Sequence, residues 1–199
     1  LVPAGVVFLK PQTGESFELG TQWQGEKSQV SYALYHMTLN DEIVLDPVVY
    51  ANINLPDSER QGFTLDADTR LSEEFALRIN YTYTDAEVID GVFDGKKVPF
   101  IAENTASATV LFTPVSALTF SLEGIYTGSR YLADDESNSS SKLAPLTVFN
   151  LAAVYSYRHI EVSGRINNIT NELYAGYHAS WGQYPQPERN YAASVTYRF

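Results

Sequence analysis

The chain has 199 residues, of which 44% are hydrophobic and 19% are charged, and its formal net charge is −11. This charge argues against a nucleic-acid partner, because phosphate binding depends on clustered Lys and Arg. Since there is no cysteine, disulfides, thiolate zinc sites and cysteine nucleophiles are excluded. No stretch of about 18 apolar residues is present, so the sequence predicts no transmembrane helix.

The first two predicted strands, residues 15–23 and 28–38, form a hairpin with a short turn at residues 25–26. Both strands alternate apolar and polar side chains, because successive strand residues point to opposite sides of a sheet. One face of the first strand carries Phe17, Leu19, Thr21 and Trp23, and in the second strand Val30, Tyr32 and Leu34 alternate with Ser31, Ala33 and Tyr35.

A second hairpin is predicted from residues 61–71 and 75–84. Apolar residues of its first strand alternate with the charged residues Asp66, Asp68 and Arg70. Such charges would destabilise a buried sheet face, but they suit the water-filled lumen of a membrane barrel. The pairing places Arg78 of the second strand beside Asp66 or Asp68.

Five further strands are predicted at residues 104–113, 117–131, 146–157, 160–168 and 190–199. The last of them alternates cleanly, with Tyr191, Val195, Tyr197 and Phe199 on one face. About nine strands result, each near the roughly 9 to 11 residues that a tilted strand needs to cross a bilayer. The pattern predicts an all-β, antiparallel up-and-down meander that forms part of a transmembrane β-barrel.

The connections between the strands alternate in length. Those after residues 23, 71, 113 and 157 are short, whereas those starting near residues 40, 88, 132 and 169 are long. All short connections therefore fall at one end of the strands and all long ones at the other. Short periplasmic turns and long external loops are typical of outer-membrane barrels.

Five stretches resemble, in the same order, motifs of the TonB-dependent outer-membrane receptors. They are residues 9–20, similar to "L-K-P-E-x-S-x-x-Y-E-L-G"; 60–67, similar to "S-R-G-V-E-L-E-A"; 128–131, similar to "G-x-R-Y"; 165–174, similar to "V-x-N-L-F-D-K-x-Y"; and 187–199, similar to "P-G-R-x-F-x-x-x-L-x-Y-x-F". The resemblance covers nearly the whole chain. It implies that residues 1–199 are a single carboxy-terminal segment of such a barrel, about nine of 22 strands.

This resemblance also implies a location and partners. The location is the bacterial outer membrane, and the function is a share in importing a scarce ligand such as an iron chelate (a siderophore complex), cobalamin or a glycan. The implied partners are outer-membrane lipid, the rest of the barrel, the amino-terminal plug domain and, through that plug, the energy-transducing TonB protein. No stretch resembles the plug or its TonB box, and the amino end lacks the features of a secretory signal. We therefore expect a processed or truncated piece.

The last long loop, residues 171–188, supplies the candidate ligand contacts. These candidates are Tyr174, Tyr177, His178, Trp181 and Tyr184. Rigid amphipathic rings at a pore mouth bring contact area at a small entropy cost, although the alternative is that several belong to the interfacial girdle. At the chain end, Tyr197 and Phe199 resemble the signature that the outer-membrane assembly machinery recognises.

Catalysis has little support in the sequence. The three histidines are far apart and show no metal-binding spacing, and no nucleophile elbow, phosphate loop or dinucleotide fingerprint is present. Asp66 and Asp68 are better explained as lumen wall than as an acid/base pair. The acidic run at residues 134–136 is followed by Ser and Asn, which favours a solvated loop over a cation site. We therefore expect no enzyme, no cofactor and no metal site.

Two other interpretations remain open from the sequence. One is a self-contained small outer-membrane barrel, a porin or adhesin, which requires closure with an even number of strands. The other is a soluble β-sandwich that binds carbohydrate and buries its aromatic faces between two sheets.

Overall fold

A computed structural model of the chain describes residues 8–46 and 51–199. In chain order its strands are β1 (Thr13–Gln24), β2 (Ser28–Asn40), β3 (Ile43–Asp46), β4 (Ala51–Asn54), β5 (Ser58–Arg70), β6 (Phe75–Val88), β7 (Asn104–Val115), β8 (Leu118–Thr127), β9 (Leu146–Tyr157), β10 (Ile160–Asn167), β11 (Ala175–Ala179), β12 (Gly182–Pro185) and β13 (Asn190–Tyr197). A short 3₁₀ turn lies at Gly91–Phe93.

Nine of these strands form one antiparallel sheet, in the order β1-β2-β5-β6-β7-β8-β9-β10-β13. When the four short strands are left out, each strand of this sheet pairs with the strands that precede and follow it along the chain. The predicted meander of nine strands is therefore confirmed. The other four strands pair as two small hairpins, β3 with β4 and β11 with β12, inside long connections. Neither hairpin was predicted from the sequence.

Strand ends agree with the prediction to within two residues at all but three places. β5 begins three residues earlier, β6 ends four residues later and β8 ends four residues earlier than predicted. β8 ends at Thr127 rather than at residue 131, because the chain leaves the sheet there and only Arg130 forms an isolated bridge, with Leu143. β7 runs on to Val115, with a register shift between Phe112 and Val115 before the turn into β8.

One face of the sheet is apolar and carries two groups of aromatic rings. Toward the long loops, the Phe63 ring lies 5.6 Å from Tyr32, 5.6 Å from Tyr81 and 5.8 Å from Tyr83. Toward the short turns, Phe112 stacks on Phe75 at 4.6 Å and on Phe120 at 6.3 Å. Between the groups runs a row of paired aliphatic residues: Leu77, Val110, Leu122 and Leu151. This arrangement matches an apolar band between two aromatic girdles.

The opposite face is polar, and several of its charged side chains contact polar or oppositely charged residues of the neighbouring strand. Arg78 Nε lies 2.9 Å from Asp68 Oδ1, as the hairpin register predicts, whereas Asp66 accepts a hydrogen bond from Asn80. Farther along, an Asn150 to Glu123 hydrogen bond of 2.9 Å ties β9 to β8. The charges on this face are thus arranged for a hydrated environment or a polar partner.

The described residues bury almost no core of their own. Their buried apolar residues are only Ala86, Val88, Val148 and Ala179, and large apolar side chains such as Phe17 and Leu19 are at least 70% exposed. Within the described ranges no second layer packs on the nine-stranded sheet. The sandwich interpretation is therefore wrong, since it needs two sheets facing each other.

The sheet is also open. β1 and β13 are its two ends and do not pair with each other, so the structure does not show the closure that a self-contained barrel requires. Unpaired strand edges are costly in lipid and promote aggregation in water. Further strands or another chain are needed to complete the wall.

Candidate functional site

Four rings from two different loops meet at the end of the sheet that carries the long connections. Tyr177 lies at their centre, with ring centroids 5.4 Å from Phe100, 6.1 Å from Trp181 and 5.7 Å from Tyr184. Trp181 and Tyr184 meet edge to face at 6.2 Å. Offset and edge-to-face contacts at such distances are favourable. We call Phe100, Tyr177, Trp181 and Tyr184 the aromatic cluster.

The β11–β12 hairpin sets the orientation of this cluster. Tyr177 pairs directly with Tyr184, which places both rings on one face of the hairpin. His178 pairs with Gln183 and therefore points to the other face. Trp181 is 53% exposed and Tyr184 is 59% exposed, so the outer surface of the cluster is open to a ligand.

The environment of Tyr177 is partly buried and acidic. Burial raises the pKa of its hydroxyl, and the carboxylates of Asp134 and Glu136 raise it further. Tyr177 therefore stays protonated at neutral pH and keeps a hydroxyl donor within the cluster.

The loop after β8 is tied to the loops on either side of it. The backbone N–H of Ser180 donates to Asp134 Oδ1 at 2.9 Å, and the N–H of Ala133 donates to the His178 carbonyl at 2.9 Å. On its other side, the N–H of Lys97 donates to Asn138 Oδ1 at 2.7 Å, and Asn138 Nδ2 donates to the Lys97 carbonyl at 3.0 Å. Three long loops thus hold one another in place.

Asp135 organises that middle loop from within. Its carboxylate accepts hydrogen bonds from the backbone N–H groups of Ser139 and Ser140, both at 2.9 Å, and from the Ser137 hydroxyl at 3.1 Å. Burial raises the pKa of Asp135, but these donors lower it more, so the pKa lies below its ordinary value. The acidic run at residues 134–136 is thus part of an ordered turn, in which the Asp135 carboxylate accepts hydrogen bonds from its own loop. The prediction of a solvated loop did not include this order.

Tyr174 lies apart from the aromatic cluster. It lines an open cleft of about 330 Å³ together with Phe100, Thr105, Thr127, Arg130 and Leu146. Thr105 and Thr127 are paired on the polar face of β7 and β8, so the floor of the cleft belongs to the wall of the lumen. The Arg130 guanidinium carbon lies 4.7 Å from the centre of the Phe100 ring.

The structure thus groups three of the five predicted ligand contacts, Tyr177, Trp181 and Tyr184. Tyr174 lies at the neighbouring cleft, and His178 faces away on the opposite side of its hairpin. Phe100 and Arg130 were missed as site residues. Arg130 belongs to the "G-x-R-Y" motif, but this motif does not indicate where its side chain lies in the fold. Phe100 lies in a loop whose sequence shows neither a strand nor a helix pattern.

The Tyr197 ring contacts Phe199 at 5.1 Å and His159 at 6.0 Å, at the end of the sheet with the short turns. Among the described residues, no group of three or more His, Asp or Glu side chains is placed to hold a metal ion. Nor does any helix in these residues have the length and apolar character needed to cross a membrane.

Comparisons with known proteins agree with this architecture. The model of the family described as TonB dependent receptor-like, beta-barrel, matches residues 2–169. The chain is 28% identical to the ferrichrome outer membrane transporter/phage receptor of Escherichia coli K12 over 95% of its own length and 27% of that protein. It is 27% identical to the ferrioxamine B receptor of Salmonella typhimurium, over 96% of this chain and 29% of that protein.

Solved structures show the same fold. The siderophore receptor PiuA of Acinetobacter baumannii superposes with a TM-score of 0.77 at 18% identity, covering 95% of this chain and 29% of that structure. A copper transporter, OprC, also superposes with a TM-score of 0.77, at 20% identity. The chain spans between a quarter and a third of the length of these relatives. The relatives are outer-membrane transporters and receptors, and this chain belongs to the TonB-dependent receptor-like β-barrel family.

Proposed function

We propose that this chain is the carboxy-terminal part of the barrel wall of an outer-membrane importer for a siderophore or a similar iron chelate. The observation that carries the proposal is the 28% identity to the ferrichrome transporter across 95% of the chain. The ferrioxamine B receptor supports the same ligand class. The absence of catalytic motifs in the sequence fits a transporter rather than an enzyme, and we propose that the chain uses no cofactor.

The remaining parts of the importer follow from the two faces of the sheet. We propose that lipid covers the apolar face, that further barrel strands pair with β1 and β13, and that the plug domain contacts the polar face. In this scheme TonB acts through the plug and never touches this segment. The rings of Tyr197 and Phe199 serve the assembly machinery, and no nucleic acid takes part.

The aromatic cluster is the part of this segment that meets ligand first. Trp181 and Tyr184 are more than half exposed at the end with the long loops, and Tyr177 and Phe100 support them from below. Flat amphipathic rings held by contacts to one another bind an apolar chelate surface with little loss of side-chain entropy. Tyr174 and His178 are secondary candidates, because they lie at the cleft and on the reverse side of the hairpin.

Uptake by the intact receptor tests this proposal. Cells that lack other receptors should accumulate radioactive iron from at least one chelate of a panel of neutral and anionic ferric chelates, and only when they express the protein. Trp181→Ala together with Tyr184→Ala should weaken chelate binding about tenfold or more, since each ring supplies contact at the mouth. Trp23→Ala is the matched control, because Trp23 lies on the apolar face and is 60% exposed there. The proposal fails if no ferric chelate is taken up, or if the control loses as much binding as the double variant.

A further inference from the structure

Arg130 is partly buried and has no acidic partner. Among the described residues Arg70, Arg158 and Arg189 also form no ion pair, but their side chains are exposed. Arg60 lies 2.7 Å from Glu42, Arg78 lies 2.9 Å from Asp68, and Arg165 lies 3.5 Å from Glu123. In the described parts of the chain no carboxylate lies within 4.0 Å of the Arg130 guanidinium, and only burial acts on the pKa of Arg130, which it lowers. A partly buried cation without a counterion is unfavourable in the isolated wall.

The surroundings of Arg130 form a cradle for a ligand with a flat or apolar body. Its guanidinium lies on the Phe100 ring, and Phe100 contacts Tyr177 of the aromatic cluster. Phe100 has a backbone φ of 62°, in the left-handed region that bulky residues rarely adopt. Strain of this kind is retained where the surrounding contacts impose it, and it is concentrated at ligand sites.

The cleft beside Arg130 joins the aromatic cluster to the lumen. Its walls are Phe100, Arg130 and Tyr174, and its floor carries the hydroxyls of Thr105 and Thr127. A ligand that leaves the exposed rings of Trp181 and Tyr184 therefore meets this cationic, hydroxyl-lined cleft next.

We propose that Arg130 is a specificity residue that receives an oxyanion of the ligand, such as a carboxylate, while Phe100 and Tyr174 pack against the ligand body. A planar guanidinium fork matches such an oxyanion with two parallel hydrogen bonds. This proposal rests on the proposed import function and narrows its ligand class to anionic chelates. A ligand oxyanion would also supply the counterion that this partly buried guanidinium lacks in the described residues.

The test uses the intact receptor in detergent and two small probes of equal shape, benzoate and neutral benzamide. Saturation-transfer NMR measures the saturable binding of each probe. Wild-type receptor should bind benzoate more tightly than benzamide, and Arg130→Gln should weaken benzoate binding about tenfold or more without affecting benzamide. Arg130→Lys should recover part of the benzoate affinity, because it keeps the charge but loses the fork.

Arg158→Gln is the matched control, because the Arg158 guanidinium also lies over an aromatic ring, that of Tyr157. Arg158 lies in the turn between β9 and β10, at the opposite end of the sheet from Arg130. This variant should bind both probes as the wild type does. Heat-modifiable gel mobility checks that every variant remains folded. The proposal is overturned if benzoate and benzamide bind the wild type equally, or if Arg130→Gln leaves benzoate binding unchanged.

The same experiment separates this proposal from the import function. Uptake of a neutral ferric chelate, together with equal binding of the two probes, would overturn the role of Arg130 but leave the importer intact. Benzoate binding that depends on Arg130 without uptake of any ferric chelate would support the anion site and overturn the importer.

Discussion

Placing a charge in the middle of the apolar face should destabilise the receptor by an amount that depends on depth in the bilayer. Leu122 of β8 is suited to this test because it is 46% exposed and lies in the aliphatic row between the two groups of rings. Ser121, its neighbour in the strand, points to the polar face. Leu122→Arg and Ser121→Arg therefore add the same side chain at nearly the same depth, on opposite faces.

The position of Leu122 gives the expected magnitude. Phe120 lies two residues toward the short turns and Tyr126 four residues toward the long loops, on the same face. With a rise of about 3.3 Å per residue and a tilt of about 40°, these rings lie about 5 Å and about 10 Å from Leu122 along the membrane normal. Leu122 is thus within a few ångströms of the midplane. An arginine there costs about 2 to 4 kcal/mol, whereas Ser121→Arg should change stability by about 0.5 kcal/mol or less.

Denaturant unfolding of the intact receptor in lipid vesicles measures this difference. The shift from folded to unfolded mobility on gels gives the midpoint for each variant. We expect the Leu122→Arg midpoint to fall clearly below those of wild type and Ser121→Arg. Equal midpoints for the two variants, or a lower one for Ser121→Arg, would show that the face we assign to lipid is in contact with water or protein.

Two further predictions concern a close strand contact and a buried carboxylate. Gly62→Ala should lower the free energy of unfolding by about 1 to 3 kcal/mol, because a Cβ there would lie under 3.0 Å from the Tyr83 carbonyl oxygen. Gly164→Ala should leave it unchanged, because a Cβ at residue 164 meets no atom within 4 Å. Equal unfolding midpoints for the two variants would refute this prediction. Because the folded pKa of Asp135 is lowered, its stabilisation is present above the unfolded pKa of about 3.9 and is lost as pH falls through the folded value. The protection factors of amides 139–140, taken relative to the intrinsic exchange rate at each pH, should fall on that acidification and in Asp135→Asn at neutral pH. Unchanged protection factors would contradict the prediction.

Strand positions and faces were predictable because they depend on local alternation. Asp68 and Arg78 were assigned to one face from period 2 alone, and the structure pairs them at 2.9 Å. Short connections such as residues 72–74 also follow from local chemistry, since the Ser72 hydroxyl accepts hydrogen bonds from the backbone N–H groups of Glu74 and Phe75. Neither feature requires information from distant parts of the chain.

The loop structure was not predictable in the same way. Phe100 and Tyr177 are 77 residues apart, yet their rings are in contact, and the Asp134 to Ser180 contact spans 46 residues. Such pairs depend on the order of strands in the sheet and on short hairpins within the loops. The sequences of these hairpins show no strong alternation of apolar and polar residues. Residues 174–184 were singled out for their rings alone, so the sequence could not show that His178 faces away from the cluster.

The most direct test of the account is a nitroxide scan along β8 in the intact receptor in vesicles. Labels at Leu118, Phe120 and Leu122 should collide readily with oxygen dissolved in lipid, and labels at Thr119, Ser121 and Glu123 should not. Oxygen accessibility should therefore vary with a period of two residues along β8 and be highest near Leu122. Uniformly low accessibility along the strand, or a maximum on the Ser121 side, would contradict the claim that lipid covers the aromatic face of this sheet.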